Sequence, residues 1–164
     1  MNNIIFRFLI AAVVVWLMSS CSSTEEVIAR YPYISSLANT DCLSHIDTDN
    51  DFSRGSDVTG IFEMTVDGTT AHCKFTSLDY PCDFEKVNIS VTYSEGVMTL
   101  VEYPSSNSAD CRCETEATFI IKNIPENEFI LQIYHGDING EINKDAPKFI
   151  GKVQPTNGSL TIPY

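Results

Sequence analysis

The feature that most constrains this chain is strict alternation of apolar and polar residues in short runs divided by turn residues. Val87, Ile89, Val91 and Tyr93 share one face of the run Phe84–Tyr93. Side chains two apart on an extended chain point the same way, so the run reads as a strand with one buried face. Ser94-Glu95-Gly96 turns it into Val97–Tyr103, where Val97, Thr99, Val101 and Tyr103 face one way and Met98 and Leu100 the other. Two partly apolar faces suit a strand inside a packed sheet. Upstream, Gly60–Val66 and Thr69–Thr76 flank Asp67-Gly68, a strong hairpin signal because turn positions there need positive φ. Downstream come Ala117–Lys122, Phe129–Tyr134, Phe149–Val153 and Leu160–Ile162, the last two joined through Asn157-Gly158 as an expected final hairpin. No helical period intervenes. Seven or eight evenly spaced strands predict an all-β antiparallel sandwich, with a small β-barrel as the alternative.

The first residues read differently. Arg7 is followed by the apolar run Phe8–Met18 and then by Ser19, Ser20 and Cys21. This positive, apolar, small-residue order marks a cleavable export signal over residues 1–20, and the run is short of the roughly 20 residues a spanning helix needs. Met18-Ser19-Ser20-Cys21 resembles the lipobox of bacterial lipoproteins, with Met18 in place of the usual leucine. The resemblance implies that Cys21 carries the lipid that holds the mature chain to a membrane, by anchors that gain about 0.8 kcal/mol per buried CH₂. The expected location is the outer membrane, and Glu25-Glu26 resembles short acidic signals that direct some lipoproteins to its outer face. Residues 21–40 then serve as the lipidated cysteine and a tether, with Val27–Tyr33 able to become an edge strand. Residues 41–164 form the one domain, opening with a loop-rich stretch to Gly60.

Without residues 1–20 the chain has 22 acids against 9 bases, a net charge of −13. Nucleic-acid binding needs clustered Lys and Arg, so it is excluded, and so is a peripheral hold on anionic lipid.

Five further cysteines are Cys42, Cys73, Cys82, Cys111 and Cys113. Export favours disulfides, and an odd number leaves one unpaired. Five choices of that residue times three pairings of the rest leave fifteen arrangements. The two cysteines of Cys111-Arg112-Cys113 are poorly placed to bridge each other on an extended chain, so a bridge from Cys82 to Cys111 or Cys113 is expected. A metal-binding or redox alternative uses His72, Cys73, Cys111 and Cys113 as soft ligands.

Other constellations are weaker. Asp47, Asp49 and Asp51, with Asp57, open like a calcium loop, but Phe52 and Val58 stand where glycine and glutamate belong. Ser44-His45-x-Asp47 packs triad residue types too closely in sequence for triad geometry. No G-x-S-x-G, H-E-x-x-H, P-loop or G-x-G-x-x-G occurs, so no catalytic residue and no cofactor is assigned. An extracellular hydrolase using a carboxylate pair is the third reading. Seven tyrosines among many acids suit a protein- or carbohydrate-binding face, or simply the ends of the core.

Across residues 70–134 the chain resembles a group of small uncharacterised lipoproteins of Gram-negative gut anaerobes. The resemblance rests on Tyr80-Pro81-Cys82, a strand ending in Glu102, Asp110-Cys111-Arg112-Cys113, the stretch Thr118–Pro125, and Phe129–Tyr134. It implies an immunoglobulin-like sandwich and no particular activity. Members often have one more cysteine near the C-x-C loop, whereas Glu114–Glu116 holds none. The expected function is therefore a non-catalytic exported lipoprotein, a binding or envelope-associated accessory module.

Overall fold

The computed structural model describes residues 31–46, 60–155 and 158–163. Among these residues there is no helix and there are ten strands: β1 Tyr33–Asn39, β2 Ser44–Ile46, β3 Ile61–Asp67, β4 Thr70–Pro81, β5 Val87–Ser94, β6 Val97–Pro104, β7 Arg112–Lys122, β8 Phe129–His135, β9 Phe149–Val153 and β10 Gly158–Pro163. They form two sheets. The larger runs β1-β7-β4-β3-β10, with β2 also paired to β7, and the smaller runs β5-β6-β8-β9. Every pairing is antiparallel except β6 with β8. The sheets do not close on each other, so the fold is a β-sandwich and not a barrel.

The alternation explains the core. Phe62, Met64 and Val66 of β3 point inward with Ala71, Cys73 and Phe75 of β4 and Phe119 and Ile121 of β7. Phe62, Phe75 and Phe119 pack ring against ring, with centroids 4.8–6.4 Å apart. From the smaller sheet come Val87, Ile89, Met98, Leu100, Phe129, Leu131 and Ile133. Such a two-layer core is what alternation on both sheets must produce. The second apolar face of β6 is also covered. Val101 is 7 % exposed, and the chain after β8 lies over it. A methyl group at Gly136 would come within 2.9 Å of Val101 Cγ1, so only glycine lets the backbone pass that close.

Turn chemistry follows the sequence with one shift. Asp67 pairs with Thr70, so the turn residues are Gly68 and Thr69, and only Gly68 has positive φ (57°). That is the type II′ pattern instead of the Asp-Gly type I′ expected. Glu95 and Gly96 both have positive φ, as type I′ requires.

Two expectations are corrected. Tyr33–Asn39, expected within a tether over residues 21–40, instead pairs with β7 as the edge strand of the larger sheet. Ser44–Ile46 adds a short strand, paired with Glu114–Arg112, to the loop-rich stretch 41–60. Finally, β9 and β10 are not a hairpin: β9 pairs with β8 in one sheet and β10 with β3 in the other. The signal and Cys21 lie outside the described residues, as do the candidate calcium ligands Asp47, Asp49, Asp51 and Asp57.

Candidate functional site

Three places on the sandwich gather chemistry. The first is the outward face of the larger sheet. Inward residues alternate with Glu63 and Thr65 on β3, His72 and Lys74 on β4, and Thr118 and Ile120 on β7. Together with Ser36–Ala38 of β1 these line an open groove of about 530 Å³, within the roughly 300–1,000 Å³ usual for ligand sites. The lining mixes charge, hydroxyl and aliphatic surface. Lys74 Nζ is 2.9 Å from Glu116 Oε2, which fixes one wall. Tyr33 faces Lys122 across the sheet edge and is 51 % exposed, so an aromatic ring stands on the same outward face as Ile120. Tyr80 and Tyr134 do not join it, because both are buried.

The second place is one end of the sandwich, where Cys42 and Cys113 lie at disulfide distance, as do Cys82 and Cys111, each with Cα atoms 5.5 Å apart. The chain there is laid out by backbone pairing. Thr40 N donates to Glu116 O (3.0 Å) and Leu43 N to Glu114 O (2.9 Å), so residues 40–43 run along β7 and bring Cys42 to Cys113. The buried Thr115 hydroxyl donates to Thr40 O (2.8 Å), which satisfies it in place. Glu114 accepts from Ser77 Oγ (2.7 Å) and Ser44 Oγ (3.0 Å), tying the β4 bulge at Ser77, where φ is 55°, to β2. On the other side of β7, Cys82 N donates to Cys111 O (3.0 Å). Arg112 reaches Asp79 through Nε (2.8 Å to Oδ1) and Nη2 (2.8 Å to the carbonyl). The expectation that Cys82 partners one cysteine of the C-x-C loop, and that the loop does not bridge itself, is met.

His45 stands between the two pairs. Its register partner is Cys113, and its Nδ1 lies 3.8 Å from Cys42 Sγ and 3.5 Å from Cys82 Sγ. Cys73 is the unpaired cysteine. It is buried, and burial pushes its thiol well above the ordinary range, so it is inert packing. The set His72, Cys73, Cys111 and Cys113 is not brought together. His72 and Cys73 point to opposite faces of β4, and Cys73 pairs with Phe119, six residues along β7 from Cys113, or about 20 Å at strand rise. Ser44 and His45 do not form a nucleophile–base pair either, since Ser44 Oγ donates to Glu114 and His45 faces sulfur.

The third place was not singled out in the sequence. Glu102 of β6, 2 % exposed, follows Met98 and Leu100 on the core face. Its carboxylate accepts a short hydrogen bond from Tyr80 OH of the opposite sheet and shares one of 2.9 Å with His135 Nδ1. Burial raises its pKa, outweighing the lowering by the His135 hydrogen bond and by the charges of His135 and Lys148. An acid on the apolar face of an alternating strand was the available signal. Substrate cannot reach a carboxylate so enclosed, and among the described residues no second acid joins it, so it is a structural cross-link between sheets.

No protein-family model matches the chain, and neither does any curated protein or solved structure.

Proposed function

We propose that this chain is a non-catalytic exported lipoprotein, held to the outer membrane by lipid on Cys21, whose sandwich offers the outward face of the larger sheet to a carbohydrate or protein ligand. The groove carries this reading. It crosses four strands, so its floor is rigid, and it sets Glu63, His72 and Lys74 beside Ile120. Polar groups placed around an apolar strip are what orients a ligand of mixed polarity. Tyr33 at its margin adds a ring for stacking on a sugar or an apolar side chain. Two further features support the reading: an apolar run ending in the lipobox-like Met18–Cys21, and paired cysteines suited to an oxidising compartment.

The test is a nuclear magnetic resonance titration of the domain with a panel of soluble oligosaccharides and short peptides. Binding is expected to move the amide signals of Glu63, His72, Lys74 and Ile120 together, and His72→Ala or Lys74→Glu should weaken it at least ~10-fold, the equivalent of about 1.4 kcal/mol. Shifts confined to other surfaces would reject the groove as the site. Mass analysis of membrane-bound protein tests the anchor: a diacylglycerol on Cys21, lost in Cys21→Ser, is the expected result.

A further inference from the structure

At the cysteine-rich end of the sandwich one imidazole nitrogen touches both sulfur pairs. Cys42 Sγ, a ring nitrogen of His45 and Cys113 Sγ all lie within 4.8 Å of one another, and Cys82 Sγ is 3.5 Å from His45 Nδ1. Two disulfides do not need a histidine between them, whereas a mixed thiolate–imidazole metal site uses one as a ligand. Cys42 and His45 have the C-x₂-H spacing that lets one short segment supply two ligands, and Cys82 and Cys113 come from separate strand ends, as in three-thiolate, one-imidazole zinc sites. Cys42 and Cys111 are exposed, so one sulfur of each pair is open to attack.

We propose that the reduced chain holds one Zn²⁺-class cation on Cys42, His45, Cys82 and Cys113, so that this end of the sandwich is stapled either by two disulfides or by one metal ion. The exchange balances. A dithiol reductant supplies two electrons and two protons to each disulfide and is itself oxidised to a disulfide. Four thiols result. The cation displaces the protons of Cys42, Cys82 and Cys113, accepts the Nδ1 lone pair of neutral His45, and leaves Cys111 protonated. Opening the two S–S bonds frees the sulfurs to take the roughly 2.3 Å Zn–S distance. The site shares no residue with the groove, so it stands or falls independently of the ligand-binding reading.

The test uses the full chain with Cys21→Ser, kept in detergent, reduced with a phosphine under exclusion of oxygen and titrated with Co²⁺. One Co²⁺ per chain is expected, with thiolate-to-cobalt charge-transfer and tetrahedral d–d bands, displaced by Zn²⁺ and absent from the oxidised chain. His45→Ala and Cys82→Ser should weaken binding at least ~10-fold, since even outer-shell changes cost about that much. Cys111→Ser and Cys73→Ser should bind as the parent does. No stoichiometric binding to the reduced chain overturns the proposal. So does loss in Cys111→Ser with none in His45→Ala, which would mean an all-thiolate site. If reduction unfolds the chain, far-ultraviolet circular dichroism during the Zn²⁺ titration decides: recovered β signal supports the site, and metal uptake without recovery overturns it.

Discussion

Glu102 makes the strongest quantitative prediction. Its carboxylate is 2 % exposed and held by Tyr80 from one sheet and His135 from the other. Burial raises its folded pKa above the model-peptide value of 4.5. A carboxyl group with a raised folded pKa gives its full stabilisation below the unfolded value, and that stabilisation is lost as pH rises through the folded one. Substitution Glu102→Gln keeps the shape, still accepts from Tyr80 and cannot ionise. The difference in unfolding free energy between parent and Glu102→Gln should therefore move against the parent as pH climbs from about 4.5, by up to ~1.4 kcal/mol per pH unit until the folded pKa is passed. His135 and Lys148 pull the folded pKa down, which narrows the pH span of this trend without closing it. Urea melts at several pH values, with disulfides intact, measure the difference directly. Tyr80→Phe in the parent leaves a buried acceptor short of its donor and should cost about 1–3 kcal/mol, or roughly 2–4 °C per kcal/mol in a domain of this size. The Tyr80→Phe/Glu102→Gln double variant should show coupling of about 0.5–3 kcal/mol. A parent that gains stability over Glu102→Gln between pH 4.5 and 6 would mean that desolvation does not dominate at this site.

Other outcomes follow from packing and topology. Leu100→Ala, at a fully buried position of the smaller sheet, should lower unfolding free energy by about 2–5 kcal/mol in urea melts. Gly136→Ala should cost about 1–3 kcal/mol by overpacking against Val101, because its Cβ would sit 2.9 Å from Val101 Cγ1 and 3.1 Å from Gly140 Cα. Loop-closure entropy gives the Cys42–Cys113 bridge, with 71 residues of separation, about 4.4 kcal/mol and the Cys82–Cys111 bridge, with 29, about 3.6 kcal/mol. Single serine variants at Cys42 and Cys82, melted thermally, should therefore differ in that order.

Most of the sandwich could be read from alternation, because Val87/Ile89 and Phe119/Ile121 bury one face each and mark their strands plainly. What alternation does not encode is the partner. Asn157-Gly158 looks like a hairpin turn, yet β9 and β10 join different sheets, a choice made by which open edge the chain meets. Residues 33–46 escaped for the reverse reason. Their side chains are mostly exposed, and Ser36, Ala38 and Thr40 give no apolar period. Their order comes from backbone bonds to the edge of β7. The cysteine pairing was half legible, since the C-x-C geometry excluded one bridge, but Cys42 met Cys113 and His45 met Cys82 only through that edge pairing. Glu102 and His135 lie 33 residues apart and meet across a parallel strand pair that nothing local specifies.

The larger sheet runs β1-β7-β4 with β2 on β7, and this order gathers four of the cysteines at one end of the sandwich. Mapping disulfide-linked peptides after alkylation of the native chain probes that arrangement. The peptides expected link Cys42 to Cys113 and Cys82 to Cys111, with Cys73 alkylated only after unfolding. A bridge involving Cys73, or one between Cys111 and Cys113, would contradict it, because Cys73 faces the core about 20 Å along β7 from the other sulfurs.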